Sequence, residues 1–400
     1  MKNSEVVNLV PGIDWVGILD FGIVTFDVVM ETKYGTTYNS YLVRGTEKTA
    51  LIETAKATFF DDYMEKVKSV VDPADIDYIV LDHTEPDHSG SLEKLIALCP
   101  KAKVLASAAA LKYLKDISNC DFPSQAVREG DRVELGGKTL QFVGASNLHW
   151  PDSIYTYIPE DKLLFTCDSF GAHFASPTKK IFDDEVGDYR EAFDYYFAAI
   201  LRPFSKFFLR AIEKVEAMDI RMICPGHGPV LRSGWKECVA HSKQMCLAFT
   251  ELPNPNRVFV GYVSAYGYTR MLAEKIAEGI RSQAKEADLC DIEKMSVEEI
   301  GAHVEKASGL LFGSPTINQN ALPQLYNCFA ALTPLRDRTK LAGAFGSYGW
   351  SGEAKDIAET NIAAAKLTFC GESYFVKFKP SAEELQAAFE YGVRFAAQMK

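Results

Sequence analysis

The segment Ile79-Val80-Leu81-Asp82-His83-Thr84-Glu85-Pro86-Asp87-His88 joins an apolar run directly to four potential metal ligands within six positions. We expect the apolar run to be a buried strand, because short runs of branched apolar residues favour that structure. Alternate residues of an extended strand end point the same way, so His83, Glu85 and Asp87 are predicted to converge, and His88 can reach the same place from the side. Because the chain contains only seven His, we interpret this cluster as a metal site and not as an ordinary polar loop.

Three further candidate ligands lie downstream, each close to the end of an apolar run. They are His149 in Asn147-Leu-His-Trp-Pro-Asp152, Asp168 in Phe165-Thr-Cys-Asp-Ser169, and His227 in Cys224-Pro-Gly-His-Gly228. The glycines that flank His227 permit a close approach of the backbone. Because all three residues follow predicted strands, we expect them to meet at one edge of a sheet.

A different kind of loop occurs at Val260-Gly-Tyr-Val-Ser-Ala-Tyr-Gly-Tyr-Thr-Arg270, between an apolar strand and a helix. Hydroxyl groups and backbone N–H groups at a helix N-terminus form a binding place for an anion. The loop lacks both GxxxxGK[ST] and GxGxxG, so nucleoside triphosphate hydrolysis is unsupported and a dinucleotide is disfavoured. Two later loops, Gly313–Asn320 and Gly346–Gly352, leave the same predicted sheet edge. We expect the three loops to bracket a phosphate and an aromatic ring.

The second part of the chain alternates strands with amphipathic helices. A linker is predicted at residues 251–256, because two Pro and two Asn disfavour both helix and central strand. It separates a domain of residues 1–250 from one of residues 257–400. The predicted strands of the second domain are Val258–Val263, Ala287–Ile292, Gly309–Gly313, Leu341–Phe345 and Ser373–Phe378. Five strands that alternate with helices predict a doubly wound parallel sheet.

The first 250 residues mix short strands with helices. Thr36–Val43 and Thr49–Ile52 are predicted to form a hairpin. Further strands are expected at Ile76–Leu81, Val104–Ser107, Thr139–Val143, Ile154–Ile158, Leu163–Cys167 and Met222–Cys224, and helices at about residues 57–71, 90–98, 188–217 and 232–249. This mixture predicts a layered α/β sandwich.

The composition excludes several functional classes. Lys and Arg total 43 against 54 Asp and Glu, a formal net charge of −11, which disfavours binding to nucleic acid or to an anionic membrane. No apolar run approaches the ~20 residues that a membrane-spanning helix needs, and no apolar signal region precedes the first domain. The nine Cys are dispersed without a CxxC pair, as expected for a protein of the reducing cytoplasm.

The ligand order HxExDH, then His, Asp and His, resembles that of the metallo-β-lactamase fold. Zinc hydrolases of that fold usually carry HxHxDH, but Glu85 stands here in the place of the second His. A carboxylate oxygen is a harder donor than imidazole and favours iron over zinc. Together with the three loops, this variant resembles the flavodiiron proteins (A-type flavoproteins) over essentially the whole chain, in their minimal two-domain form. The resemblance implies a metallo-β-lactamase-like αββα sandwich followed by a flavodoxin-like, five-stranded parallel sheet.

The resemblance also implies two non-haem irons (a diiron site) and one FMN. His83, Glu85 and His149 would hold the iron nearer the flavin, Asp87, His88 and His227 would hold the other, and Asp168 would bridge the two. His173, Tyr195 and Tyr196 are candidate catalytic residues beside them. The phosphate is expected at Ser264, Ala265, Tyr266, Gly267, Tyr268 and Thr269, and the ring at Ser314, Pro315, Thr316, Ile317, Asn318, Gln319 and Asn320 and at Ser347, Tyr348, Gly349, Trp350, Ser351 and Gly352.

This sequence departs from the usual pattern of the family at Tyr268 and Arg270, where Ser or Asn with an acidic residue is common. That departure leaves the expected phosphate site without one hydroxyl, for which the charge of Arg270 could compensate.

The activity that the resemblance implies is reduction of dioxygen to water, of nitric oxide to nitrous oxide, or of both. Electrons would come from a rubredoxin, another reductase or reduced deazaflavin. A head-to-tail homodimer, or a dimer of such dimers, would pair each flavin with the iron site of the neighbouring subunit. The residues leave two other functions open: a metal-dependent hydrolase fused to a flavodoxin-like electron carrier, against which Glu85 argues, and an electron carrier whose first domain only docks a partner, against which the complete ligand set argues.

Overall fold

The structure is a computed structural model that describes residues 5–27, 30–251 and 253–399. The described residues divide into two compact units, and the boundary along the chain lies between Leu247 and Ala248. Among them, no helix is both long enough and apolar enough to span a bilayer. Leu252, part of the predicted linker, lies outside the described residues.

The described residues of the first unit contain sixteen strands. They are β1 (Val7–Val10), β2 (Ile13–Trp15), β3 (Ile18–Asp20), β4 (Thr25–Phe26), β5 (Met30–Glu31), β6 (Thr36–Tyr38), β7 (Tyr41–Arg44), β8 (Thr49–Ile52), β9 (Tyr78–Val80), β10 (Lys103–Ala106), β11 (Ser124–Ala126), β12 (Arg132–Glu134), β13 (Thr139–Gly144), β14 (Ile154–Ile158), β15 (Leu163–Cys167) and β16 (Met222–Pro225). Seven of them form one sheet in the order β1-β2-β7-β8-β9-β10-β11, and five form another in the order β12 to β16. Two short pairs, β3 with β6 and β4 with β5, complete the unit.

The helices of this chain segment lie outside the two sheets. They are α1 (Phe60–Val70), α2 (Pro86–Ser89), α3 (Leu92–Leu98), α4 (Ala108–Ser118), α5 (Arg190–Tyr196), α6 (Ser205–Glu216) and α7 (Trp235–Thr250). Side chains alternate along the strands: in β8, Ala50 and Ile52 join the core between the sheets, whereas Leu51 joins the core that contains the helices. This is the predicted αββα sandwich.

Several predicted elements of the first unit differ from the structure. Residues 36–43 are divided between β6 and β7, because Asn39 leaves the strand path and accepts a hydrogen bond from Trp15 Nε1 at 2.9 Å. The hairpin of β7 with β8 is confirmed. The helix predicted at 188–217 is divided by π-helical and 3₁₀ turns around Pro203, which has no N–H to donate. The elements that the sequence reasoning missed are β1, β2, β3, β4, β5, β11, β12, α2 and α4.

The second unit is a doubly wound parallel sheet. Its elements are β17 (Asn254–Tyr262), α8 (Tyr268–Arg281), β18 (Glu286–Asp291), α9 (Val297–Lys306), β19 (Ala307–Gly313), β20 (Thr316–Ile317), β21 (Asn320–Ala321), α10 (Pro323–Ala330), α11 (Pro334–Asp337), β22 (Leu341–Tyr348), α12 (Glu353–Ala364), β23 (Thr368–Phe369), β24 (Tyr374–Lys377) and α13 (Ala382–Gln398). The sheet order is β18-β17-β19-β22, and both β23 and β24 pair with β22. Helices cover both faces: α8 and α13 pack on one core, and α9, α10 and α12 pack on the other.

Two details of the second unit correct the sequence reasoning. β17 begins at Asn254, inside the predicted linker, and pairs there with Ala307. Pro255 is tolerated because the register is irregular between Asn254 and Val258, and an irregular pair does not need every N–H. The fifth position of the sheet is shared by β23 and β24, of which only β24 was predicted.

Candidate functional site

The ligand motif does not form an extended strand. β9 ends at Val80, and Pro86 begins α2, so Asp87 and His88 lie in a helical turn. The prediction that alternate residues converge was therefore wrong for Asp87. The physical reason is that Pro at the first helical position favours a helix start. Because of this turn, His83 and Glu85 lie in one group of side chains, and Asp87 and His88 lie in another.

The first group contains His83, Glu85, His149 and one oxygen of Asp168. Glu85 Oε2 lies 3.2 Å from His83 Nε2 and 2.9 Å from His149 Nε2. Asp168 Oδ2 lies 3.5 Å from His83 Nε2 and 3.1 Å from His149 Nε2. Two imidazole nitrogens and two carboxylate oxygens thus surround one point.

The second group contains Asp87, His88 and His227, together with the other oxygen of Asp168. Asp87 Oδ2 lies 3.1 Å from His227 Nε2 and 3.5 Å from His88 Nε2. Asp168 Oδ1 lies 3.1 Å from His88 Nε2 and 3.6 Å from His227 Nε2. The single carboxylate of Asp168 therefore presents one oxygen to each group.

The opposite ring nitrogens of three of these histidines face other acceptors. His227 Nδ1 lies 2.5 Å from the carbonyl oxygen of Thr37. His83 Nδ1 lies 3.4 Å from Asp152 Oδ2, and His88 Nδ1 lies 3.0 Å from Glu53 Oε2. An acceptor at Nδ1 favours the tautomer with its proton there, which leaves Nε2 free to bind a metal.

The buried charges of the cluster stabilise one another. Burial alone lowers the pKa of His83, but hydrogen bonds to Asp152 and Glu85 outweigh it and raise that pKa to about 10. Burial opposes ionisation of Asp168 as well, yet the nearby histidines hold its pKa well below the usual range. A buried site that retains its carboxylates in the ionised form attracts cations.

The donor set fits a pair of metal ions. Four imidazoles and three carboxylates converge within a buried space, and Asp87 Oδ1 accepts no hydrogen bond from any described residue. Mixed imidazole and carboxylate ligands suit iron, whereas structural zinc sites favour thiolates and imidazoles.

Of the three candidate catalytic residues, two lie beside the second group. The His173 ring lies 5.1 Å from that of His227 and 4.8 Å from that of Tyr196, and Thr36 Oγ1 lies 2.8 Å from His173 Nδ1. In the described part of the chain, His173 Nε2 and the Tyr196 hydroxyl are buried without a hydrogen-bond partner. Tyr195 is 44% exposed, because consecutive helix residues point about 100° apart, so the structure does not bring it to the site.

In the second unit, the three predicted loops lie at the ends of β17, β19 and β22, which are adjacent in the sheet. The third was predicted to begin at Gly346, but β22 continues to Tyr348. The chain reverses direction across the sheet between β17 and β19, the place where such folds bind ligands. Gly267 begins α8 with a φ of +82°, a conformation that favours glycine. Thr269 Oγ1 and Ser347 Oγ are 3.0 Å apart and buried, so the first and third loops are joined directly.

The remaining loop residues form a polar and aromatic surface. β20 and β21 pair as a hairpin, with Asn318 and Gln319 at φ of +55° and +57° in its turn. Tyr266 is 81% exposed and Trp350 is 95% exposed, each in a different loop. Large exposed aromatic side chains at a ligand-binding edge suit contact with a planar ring. The loops therefore fit a flavin mononucleotide.

The charge of Arg270 is already partnered. Its guanidinium lies 2.9 Å from Asp291 Oδ2, and its backbone N–H donates to Ser264 Oγ at 3.2 Å. The positive charge that was expected to compensate for the missing hydroxyl is therefore also paired with the carboxylate of Asp291.

Comparison with known proteins agrees with this architecture. A family model described as ODP family beta lactamase matches residues 36–228, and one described as flavodoxin matches residues 260–392. A type A flavoprotein of Rhodobacter capsulatus is 39% identical over 98% of this chain and 91% of its own length. The chain belongs to the flavodiiron protein family.

Two further relatives of this flavodiiron protein have informative names. A nitric oxide reductase of Moorella thermoacetica is 34% identical over 99% of both chains. The structure of rubredoxin oxygen:oxidoreductase from Desulfovibrio gigas superimposes with a TM-score of 0.69 at 29% identity, over 99% of this chain and 98% of that one.

The sequence reasoning found the seven ligand candidates of this flavodiiron protein but missed the residues behind them. Glu53 follows β8 directly, in the same position after an apolar strand as the predicted ligands. Asp152 follows His149 by three residues and accepts hydrogen bonds from Thr84 N and Oγ1 at 2.9 and 2.8 Å. The position of Glu53 after an apolar strand was visible in the sequence, whereas the contact between His83 and Asp152 was not.

Proposed function

We propose that this flavodiiron protein is an oxidoreductase that reduces dioxygen to water, nitric oxide to nitrous oxide, or both, at a pair of non-haem irons that receive electrons from FMN. The observation that carries the proposal is the carboxylate of Asp168, which presents one oxygen to each of two buried groups of ligands. Two metals about 3.5–4 Å apart are suited to binding both ends of one small molecule or two small molecules together.

The proposed ligands follow the two groups. His83, Glu85 and His149 would hold one iron, Asp87, His88 and His227 would hold the other, and the carboxylate of Asp168 would serve both. With electrons delivered by the irons and the flavin, one dioxygen takes four electrons and four protons to give two waters, and two nitric oxides take two electrons and two protons to give nitrous oxide and one water.

The protein supplies hydrogen bonds and excludes water around this chemistry. Burial and the neighbouring His227 lower the pKa of His173 to about 3, so its ring is neutral. Burial also raises the pKa of Tyr196 well above 10, so its hydroxyl retains the proton. We assign the Tyr196 hydroxyl as a hydrogen-bond donor to a substrate oxygen, because it is buried and has no partner among the described residues.

The FMN site is assigned to the three loops of the second domain. Ser264 through Thr269 would contact the phosphate at the start of α8, where backbone N–H groups are available. Ser314 through Asn320 and Ser347 through Gly352 would contact the ring, with Trp350 and Tyr266 as its aromatic neighbours.

Other features of the proposal rest on the resemblance and on the names of relatives. We propose domains at residues 1–250 and 257–400, a cytoplasmic location, and a head-to-tail homodimer or a dimer of such dimers. The electron donor is a rubredoxin, another reductase or reduced deazaflavin. The relatives' names include both rubredoxin:oxygen and nitric oxide chemistry, so both gases belong in the test.

The test begins with anaerobic metal and flavin analysis of the purified protein, followed by stopped-flow mixing of the reduced form with dioxygen and with nitric oxide. We expect about two irons and one FMN per chain, and reoxidation faster than that of free flavin. The gas that reacts faster is the substrate. Zinc in protein grown with ample iron, together with no reoxidation beyond that of free flavin, would contradict the proposal. That outcome would favour a hydrolase or an electron carrier.

A further inference from the structure

The ring of His88 lies between two candidate iron ligands on its Nε2 side and two other groups on its Nδ1 side. Its Nε2 faces Asp87 and Asp168, and its Nδ1 faces Glu53 Oε2 at 3.0 Å and Cys167 Sγ at 3.6 Å. The backbone carbonyl of the same residue accepts hydrogen bonds from the backbone N–H and the hydroxyl of Thr54. The imidazole thus lies between the carboxylates of Asp87 and Asp168 at Nε2 and the carboxylate of Glu53 at Nδ1.

Glu53 occupies an unusual position. It follows β8 with a φ of +59°, in the left-handed region, and its side chain is buried. Its Oε1 accepts a hydrogen bond from the backbone N–H of Asp82 at 2.6 Å, while its Oε2 faces His88. One carboxylate therefore holds both the beginning and the end of the ligand motif.

The His88 ring also packs closely against the backbone of Gly226, where no side chain would fit. A Cβ at Gly226 would lie 2.7 Å from His88 Cε1, which is closer than real Cβ atoms approach other atoms. Gly226 also donates its N–H to the carbonyl of Cys167, next to Asp168. The glycine thus permits the ring position that Glu53 stabilises.

We propose that Glu53 is the positioning residue that makes His88 an iron ligand, by holding the proton of the imidazole on Nδ1 and directing the lone pair of Nε2 toward the metal pair. This inference rests on the proposed function. A carboxylate oxygen that accepts at Nδ1 favours the Nδ1–H tautomer and increases the basicity of Nε2. Without it, nothing in the described surroundings of His88 selects that tautomer except the thiol of Cys167, a weak acceptor.

The test uses Glu53→Gln in the full-length protein. The amide oxygen can still accept from Asp82 N–H, but the amide NH₂ then faces His88 Nδ1 and favours the proton on Nε2, which cannot bind iron in that form. We expect release of one of the two irons to a chelator to become on the order of 10–100-fold faster. The other iron should be released as in the unchanged protein, and the Mössbauer spectrum should show only one of the two iron environments altered.

Three further variants separate positioning from general damage. Asp14→Asn removes another buried carboxylate, whose partners Asn8 and Arg44 are not candidate ligands, and should retain both irons. Gly226→Ala pushes directly on the ring and should weaken the same iron as Glu53→Gln. Glu53→Gln combined with His88→Asn should lose no more iron than His88→Asn alone, because both changes remove one interaction.

The outcomes distinguish this inference from the proposed function. If the unchanged protein does not bind about two irons per chain, the proposed function fails, and this inference fails with it. If the unchanged protein binds two irons and Glu53→Gln releases both at unchanged rates, the inference alone is overturned. Equal loss of both irons in Glu53→Gln would also overturn it, since a positioning role for His88 concerns only one of them.

Discussion

Each unit contains a cluster of buried carboxylates, and the two clusters differ in the groups that face those carboxylates. In the second unit, Asp337 is 1% exposed, and its carboxylate lies 2.6 Å from Arg336 and 2.8 Å from Lys340. In the first unit, Asp87 and Asp168 face imidazole nitrogens, with no Lys or Arg ion pair among the described residues. A buried acid costs much free energy unless it is paired.

The difference shows which cluster serves the fold and which serves a ligand. Arg336 and Lys340 neutralise Asp337 within the protein itself, although burial lowers the pKa of Lys340. The carboxylates near His88 and His227 face imidazole nitrogens, which are themselves metal-binding groups, and buried polar atoms such as His173 Nε2 have no partner in the described residues. Such a cluster is suited to metal ions that bind after or during folding.

The largest expected effect comes from Asp168→Asn, which removes the carboxylate shared by both ligand groups. We expect loss of both irons and a fall in gas-dependent reoxidation by more than about 100-fold, since even outer contacts of a metal site contribute 10–100-fold. Iron content and stopped-flow rates check this. FMN content should not change, and a variant that retains both irons would remove Asp168 from its bridging role.

Asp337→Asn should have the largest effect on stability. It leaves Lys340 buried without its carboxylate, while Arg336 retains only its ion pair with Glu305, a change that costs about 3–5 kcal/mol. Urea unfolding followed by FMN release measures the effect on the second unit. The control is Glu372→Gln, whose ion pair with Arg394 is exposed and should contribute less than about 1 kcal/mol. If the two variants lose equal stability, the buried ion pairs of Asp337 stabilise the second unit no more than an exposed ion pair does.

Tyr196→Phe tests whether an unpartnered buried hydroxyl acts on the substrate. Removing one such donor should lower the rate of reaction with the gas by about 100-fold, with iron content unchanged. Tyr195→Phe is the matched control, because Tyr195 is the preceding residue of the same helix and its ring is exposed. This variant should react like the unchanged protein. Equal rates in the two variants would assign Tyr196 to packing alone.

The smallest effect concerns Lys66, which is buried and donates to the carbonyl of Gly17 beside the ring of Trp15. Burial lowers the pKa of Lys66 to about 7, although Asp62 opposes the shift. The unfolded chain keeps this proton up to about pH 10.5, whereas the folded chain releases it above about pH 7, so the stability of the folded state rises with pH across that window.

The measurement is urea unfolding of the unchanged protein and of Lys66→Met between pH 7 and 9. We expect the difference in unfolding free energy between them to shift in favour of the unchanged protein as pH rises, by at most about 1.4 kcal/mol per pH unit. A difference that is independent of pH would mean that Lys66 keeps its proton in the folded state.

The fold and the types of ligand were predictable from the sequence because they depend on local patterns. Alternating strands and helices after residue 257 predicted the parallel sheet, and loops with glycines and hydroxyls predicted where its ligand would bind. The failures were also local in origin: Pro86 began a helix where an extended end was expected, and Pro255 was tolerated in a strand because the register there is irregular.

The sequence by itself determined the domain types, the seven candidate ligands and the preference of Glu85 for iron, since these follow from residue chemistry and spacing. Only the tertiary structure shows that the candidate ligands lie in two adjoining groups with Asp168 facing both, that Tyr196 and not Tyr195 lies beside them, and that Glu53 stands behind His88. The physical reason is that these relations join segments that are distant in the chain, and their distances are set by the packing of two sheets that no local pattern encodes.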